Sequence, residues 1–246
     1  VDAVVHFAAK TFVDYSIRDV WPFLQANVIG TYNLLEDARK YGVKRYIQIG
    51  TDEVYGAIKE GAYKEDARLN PTNPYSATKA GADCLALCYA NTYGLHTTVT
   101  RTENNYGPMQ GMEKAIPVFV RAALKGEPLP VYGDGKHRRM WLWVEDHIDA
   151  LLLLLKADYP PGEIFHIAGE QEIENLELAK HVLRLCGKPE DQIRFVDEFN
   201  VRRGHDRRYS LDCTKLRTLG WTPKVSLERG LDMAVSWYRF NSWWLE

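Results

Sequence analysis

"VKRYIQIGTDEVYG", residues 43–56, decides how the rest of the chain is read. Val43–Gly50 has the length and the β-branched and aromatic content of a buried strand. Two adjacent carboxylates, Asp52 and Glu53, follow at its tip. Acidic residues are depleted in strands, and burying a charge is costly unless it is paired or neutralised. Either the pair caps a turn where the strand ends, or it serves chemistry there.

Working outward, "VDAVVHF" (1–7) reads as a strand, and "VWPFLQANVIGTYNLLEDARKYG" (20–42) as a helix with apolar residues at helical spacing, stopped by Gly42. Beyond a polar loop, "SATKAGADCLALCYANTYG" (76–94) is a helix with Gly94 as its stop, and "LHTTVTR" (95–101) is the next strand. Strand and helix alternate, which predicts an α/β doubly wound parallel sheet. Past Pro108 the pattern loosens: helices are expected over 115–126, 143–157, 175–187 and 227–244, and a strand over 162–169. The charged stretch 189–210 is expected to be mostly irregular. No internal repeat and no low-complexity linker interrupts the chain. In open parallel sheets ligands lie beyond the carboxyl ends of the strands, so Ala8, Ala9 and the Thr51-Asp52-Glu53 tip face the place where a substrate goes.

Composition narrows the class. The 246 residues, 46% hydrophobic, suffice for one large domain or two interleaved ones. Thirty-one basic residues against 33 acidic ones give a net charge of −2. There is no basic excess to suggest nucleic acid, so any phosphate must be met by local cations. The longest apolar run, "ALLLLL" (150–155), is too short for a bilayer, and no signal-peptide pattern opens the chain, so a soluble cytoplasmic protein is expected. Four cysteines without metal-type doublets read as reduced thiols. His96, His137, His147, His166 and His181 have no mutual spacing that suggests a metal site, and none is expected. Trp141, Trp143, Trp237, Trp243 and Trp244 read as core or domain-contact aromatics.

"YSATK" sets Tyr75 and Lys79 at i and i+4 on one helix face. A nearby ammonium lowers a phenol's pKa and makes it a usable base near neutral pH. Alone, the spacing is also that of an ordinary amphipathic pair.

Context gives the pair more weight. "HFAA", "TDEVYG", "PYSATK" and "NNYGP" occur in that order, each at a strand end or helix start. With "EKAIP", "YGDG", "RRMWLWVEDH" and "RRGHDRRYSLD", this run resembles the extended short-chain dehydrogenase/reductase family. Within it, the likeness is to the dTDP-glucose 4,6-dehydratases over nearly the full length.

The resemblance implies a lyase that uses NAD to convert dTDP-glucose to dTDP-4-keto-6-deoxyglucose. The sugar is oxidised at C4, loses water across C5 and C6, and takes the hydride back at C6. It implies Tyr75 as the base at O4, Lys79 on the nicotinamide ribose, Thr51 on the same sugar oxygen, Asp52 as the acid and Glu53 as the base of the elimination. Phe7, Ala8, Ala9 and Thr11, with Tyr75 and Lys79, would line the cofactor. Thr11, Asn104, Asn105, Lys114, Arg139, Asn175, Arg202 and His205 would hold the nucleotide sugar, since its diphosphate needs cationic and amide donors. For Arg207 and Arg208 an ion-pair network around Asp206 is the preferred reading. Asn27 is expected to hold backbone near the site.

A partial, N-terminally incomplete Rossmann-like NAD domain is expected over 1–107 with about 141–168, and a smaller α+β nucleotide-sugar domain over 108–140 and 169–246. The glycine-rich pyrophosphate turn of the family is expected upstream of Val1. The helices at about 20–40 and 76–93 resemble the pair with which relatives form a four-helix dimer interface, implying a homodimer. Departures are Lys10 for the usual glutamate, Ala26 for a cofactor-contacting threonine, Met140 for an aspartate and Arg203 for a proline. They bear on the sugar nucleotide more than on the reaction. A UDP-glucose 4,6-dehydratase and a UDP-sugar 4-epimerase are the rival enzymes; a non-catalytic nucleotide-sugar binder is the rival of another class.

Overall fold

The computed structural model describes residues 1–197 and 206–246. They form two compact units: the first comprises Val1–Glu103, Asp149–Ile167 and Tyr209–Trp221, the second Asn104–Ile148, Ala168–Arg208 and Thr222–Glu246.

The first unit is built on a parallel sheet. Strands β1 (Ala3–His6), β2 (Arg45–Ile49), β3 (Thr97–Thr102) and β7 (Glu163–Ile167) stand in the order β1-β2-β3-β7. Registers run from Ala3 opposite Arg45, through Ile49 opposite Thr100, to Thr102 opposite Ile167. Every residue of β3 is buried, although four of the six are threonines. Their β-branched shape suits the pleat, and their hydroxyls find partners: Thr97 donates to the Ala86 carbonyl and Thr98 to the Tyr159 hydroxyl.

Helix α4 (Pro74–Tyr93) runs for 20 residues because both ends are written into the chain. Asn73 is the N-cap, in a reciprocal capping box with Ser76; Pro74 occupies the first turn, where its missing N–H costs nothing. Gly94, at φ 67°, supplies the left-handed stop. Its buried face is largely small: Ala80, Ala82, Ala86 and Ala90.

The predicted helix over 20–42 exists in three parts. Helix α2 (Trp21–Phe23) leads into a π-helical segment, Leu24–Ile29, and then into α3 (Gly30–Lys40). Before it lies a short helix not foreseen in the sequence, α1 (Val13–Arg18), whose buried Val13 joins Phe23 and Tyr75 in one apolar cluster.

The second unit holds a three-stranded sheet in the order β4 (Asn104–Tyr106), β6 (Arg138–Trp143), β8 (Glu172–Glu174), and a pair, β5 (Leu129–Tyr132) with β9 (Ile193–Val196). Strand β9 corrects the expectation of irregular chain over 189–210. Its Arg194 and Phe195 are exposed, so apolar periodicity gave no sign of it. Helices α5 (Ala115–Lys125), α7 (Asn175–Cys186) and α9 (Leu227–Phe240) enclose a core with Ile116, Val120, Leu178, Val182, Leu231 and Tyr238 at its centre. Trp141 and Trp143 are buried in that core, whereas Trp243 is largely exposed. Helix α6 (Val144–Lys156) and the short α8 (Thr214–Thr218) complete the description. Among the described residues, no helix is long and apolar enough to cross a membrane.

Candidate active site

The carboxylate tip takes its shape from Gly50. A Cβ there would lie 2.6 Å from the Thr100 carbonyl oxygen and 3.0 Å from the Asp83 carboxylate. Only glycine lets β2 run this close to β3 before the chain turns. Thr51 then caps a single 3₁₀ turn, Asp52–Tyr55, accepting the Glu53 N–H at 3.3 Å on its hydroxyl. That hydroxyl also donates to Asp52 Oδ1 at 3.1 Å. Asp52 is buried and Glu53 half-buried. The segment is a capped turn, and the turn holds its carboxyl groups at the carboxyl end of the parallel sheet.

Tyr75 and Lys79 come to the same place from α4. Tyr75 is 8% exposed and Lys79 4% exposed. The Thr51 hydroxyl hydrogen-bonds the Tyr75 phenol. Five expected residues, Thr51, Asp52, Glu53, Tyr75 and Lys79, are therefore assembled within one unit.

The electrostatics correct one expectation. The i, i+4 spacing predicted a phenol lowered by its ammonium, but the Tyr75 phenol is raised. Burial is the largest cause; the charges of Glu53, Asp52 and Asp83 add to it, and the Thr51 hydrogen bond works the other way. Lys79 aims its ammonium at the Ile49 carbonyl instead. Burial also lowers Lys79, opposed by the Asp83 carboxylate one turn further along α4.

Three residues not singled out in the sequence hold this arrangement. Asn73 donates from Nδ2 to Glu53 Oε2 at 3.0 Å. Ser16 of α1 accepts the Tyr75 backbone N–H at 3.1 Å. Thr78 accepts from Asn27 Nδ2 at 2.9 Å. Asn27, in the π-helical segment, also accepts the Lys10 N–H at 2.8 Å and donates to the Lys10 carbonyl at 3.0 Å. It thereby ties the chain beyond β1, with Phe7, Ala8, Ala9 and Thr11, to the residue next to Lys79. The capping signal "NPYS" could have found Asn73; no sequence pattern announces Ser16.

Behind the turn lies a buried polar chain. Arg101 Nε donates to Asp83 Oδ2 at 2.9 Å, with the two side chains 2% and 0% exposed. Arg101 Nη1 donates to the Tyr55 hydroxyl, which donates on to His166 Nε2 at 2.7 Å; His166 Nδ1 donates to the Asp212 carbonyl at 3.1 Å. With Nδ1–H given to a carbonyl and the ring of His166 kept neutral by burial, Nε2 is left as its acceptor. Its pKa falls from 6.5 to about 3, chiefly by burial, with the Arg101 charge adding and the Asp212 carbonyl opposing. His147, in the second unit, falls to about 4 by burial. Below pH 6.5 the unfolded chain takes up these protons while the folded chain does not. Stability should therefore be full above pH 6.5 and fall with acidification toward pH 3–4, each histidine adding a slope of about 1.4 kcal/mol per pH unit. Denaturant melts from pH 7.5 to 5 would measure it. His166→Gln should flatten part of the slope.

In the second unit, β4, β6 and β8 bring expected nucleotide-sugar residues onto one sheet. Asn104 pairs with Trp141, Asn105 with Leu142, and Arg139 with Ile173. Asn175 begins α7, its N–H on the His137 carbonyl at 2.9 Å. Lys114 is the residue before α5, its ammonium 3.6 Å from Glu113. Arg139 is buried and donates to the carbonyls of Arg138, Asp206 and Arg207. Arg202 and His205 lie outside the described residues. Arg207 and Arg208 do form ion pairs, to Asp134 at 2.7 Å and Glu172 at 2.6 Å. The expected centre of that network, Asp206, offers its carbonyl to Arg139.

Comparison with known proteins completes the picture. A family model described as GDP-mannose 4,6 dehydratase matches residues 1–234. A dTDP-glucose 4,6-dehydratase from Streptomyces niveus is 49% identical over 245 residues, which are 99% of this chain and 72% of that protein. The crystal structure of DesIV, a dTDP-glucose 4,6-dehydratase from Streptomyces venezuelae with NAD and TYD bound, superposes with a TM-score of 0.95 at 46% identity; the match covers 100% of this chain and 76% of that one. UDP-glucuronic acid 4-epimerase from Bacillus cereus, in complex with UDP-glucuronic acid and NAD, reaches a TM-score of 0.92 at 27% identity, over 98% of this chain and 76% of that one. With a family model spanning nearly the whole length and a relative this similar, the chain belongs to the GDP-mannose 4,6-dehydratase family of extended short-chain dehydrogenases/reductases.

Proposed function

We propose that the protein is an NAD-dependent lyase that dehydrates dTDP-glucose to dTDP-4-keto-6-deoxyglucose. The observation that carries this reading is the pair of successive carboxyl residues on the Thr51-capped turn, beside a buried phenol and with a buried ammonium in the same unit. An epimerase works at C4 alone and has no use for an adjacent acid and base.

The residues present fit the nicotinamide and ribose end of NAD. Lys79 carries three N–H donors, one of them directed to Ile49, which leaves donors suited to ribose hydroxyls. Tyr75 adds a phenol, and Asn27 shapes the backbone after β1. When bound, NAD supplies the hydride acceptor for C4 and the hydride returned to C6.

The chain's own groups move the protons. Tyr75 takes the O4 proton, with Thr51 hydrogen-bonding the same oxygen. Because burial and three carboxyl groups hold the phenol protonated, this service depends on cationic charge at the site, and Lys79 is the chain's contribution to it. The C4 ketone acidifies C5. Glu53 removes the C5 proton, the electron pair forms the C5–C6 double bond, and the C6–O bond breaks as Asp52 gives its proton to the departing water.

Asn104 or Asn105, Lys114, Arg139, Asn175, Arg202 and His205 are proposed to bind the nucleotide diphosphate, with Thr11 on the sugar side. The protein is proposed to be a cytoplasmic homodimer. Exposed Trp21, Leu24 and Tyr32 on the helical stretch over 20–40 support the dimer.

Incubation with dTDP-glucose should yield a nucleotide sugar lighter by one water, read by mass spectrometry. An isomer of unchanged mass would reject the reading in favour of epimerisation.

A further inference from the structure

Asn73 joins two jobs that a capping residue alone would not need. Its Oδ1 accepts the Ser76 N–H at 2.9 Å, which fixes the amide with its oxygen over the first turn of α4. Its Nδ2 is thereby turned outward, and it donates to Glu53 Oε2 at 3.0 Å. The backbone of Asn73 is extended, and the Ser76 hydroxyl accepts its N–H at 3.2 Å, so the residue is locked from both sides. At 8% exposure it is also shielded from competing water.

Serine, threonine and aspartate cap helices about as well as asparagine. None of them reproduces this geometry. Serine and threonine lack an amide donor and its reach, and aspartate would set a carboxylate against Glu53. The cap fixes the helix start; the choice of asparagine among caps serves the carboxylate.

We infer that Asn73 is a positioning residue for Glu53, orienting its carboxylate for the C5 proton. Two residues beyond Asn73 stands Tyr75, so the same helix terminus sets both the group that takes the O4 proton and the group that takes the C5 proton. C4 oxidation and elimination are thus aligned from one rigid point. This inference rests on the proposed role of Glu53 as the C5 base.

The test compares Asn73→Ser, which keeps a cap but removes the donor, with Asn73→Asp, which keeps the cap and opposes Glu53. Three quantities are read: sugar-dependent appearance of reduced nicotinamide, the rate of water loss, and the isotope effect with dTDP-glucose deuterated at C5. Asn73→Ser should lower the kcat for water loss about tenfold to a hundredfold, the scale expected of a misplaced catalytic group. KM should stay within about twofold and C4 oxidation should persist, since Tyr75, Lys79 and Thr51 are untouched. The C5 isotope effect should rise as proton removal becomes rate-limiting. Asn73→Asp should be slower still. A merely structural role would depress oxidation and elimination together and leave the isotope effect unmoved, and that result overturns the inference. So does water loss at the wild-type rate in Asn73→Ser while Glu53→Gln is blocked. If Glu53→Gln itself loses water normally, it is the proposed function that fails. Should Asn73→Ser be too unstable to assay, Asn73→Asp decides by the same criteria.

Discussion

Glu53→Gln will oxidise dTDP-glucose at C4 and then stall. The substitution preserves the length and planarity of the side chain, and its amide oxygen can still accept from Asn73 Nδ2, which reaches Oε2 at 3.0 Å in the native site. What it removes is the proposed acceptor for the C5 proton. A positioned general base contributes about 10²–10⁴-fold, so the rate of water loss should fall by that factor. Reduced nicotinamide should build up on addition of sugar nucleotide, because the groups proposed to act at O4, Tyr75 and Thr51, are unchanged. The measurement is a stopped-flow absorbance trace beside product analysis. Normal product formation in Glu53→Gln would remove the residue from its role.

The second large effect is on stability. Asp83→Asn leaves the Arg101 guanidinium, 2% exposed, without the carboxylate that its Nε now meets at 2.9 Å. Breaking one side of a buried ion pair costs about 3–5 kcal/mol, a fall in Tm on the order of 10 °C for a chain of this size. The loss should exceed that of the double replacement Asp83→Leu with Arg101→Met, in which no charge is stranded. Activity should fall too, because the Asp83 carboxylate is the charge that opposes the lowering of Lys79. A single variant melting within a degree or two of the native protein would show that Arg101 is compensated elsewhere.

The strands that carry the site were legible because their signals are local. Val43–Gly50 announces β2 by composition, and Gly94 ends α4 by its freedom at positive φ. The adjacency of Asp52 and Glu53 survives folding because both lie on a single capped turn. What escaped depends on contacts distant in sequence. The bond from Asn73 to Glu53 spans 20 residues, and Arg101 meets Asp83 across 18. The direction of the Tyr75 shift could not be read from its spacing to Lys79. Spacing reports the neighbour one turn away, whereas burial and the carboxyl groups of the strand tip come from the assembled sheet. Strand β9 was missed for the opposite reason: its residues are half-buried or exposed, and only pairing with β5 makes it a strand. The π-helical turn over Leu24–Ile29, which carries Asn27, interrupts a stretch whose apolar spacing reads as plain α-helix.

The most direct measurement is the mass and labelling of the sugar nucleotide formed from dTDP-glucose in heavy water. In the proposed mechanism the C5 proton passes to Glu53 and is replaced from solvent. The product should therefore be one water lighter than the substrate and carry one deuterium at C5, and neither change should appear with Glu53→Gln. Recovery of an unlabelled nucleotide sugar of unchanged mass from the wild-type protein would contradict the account.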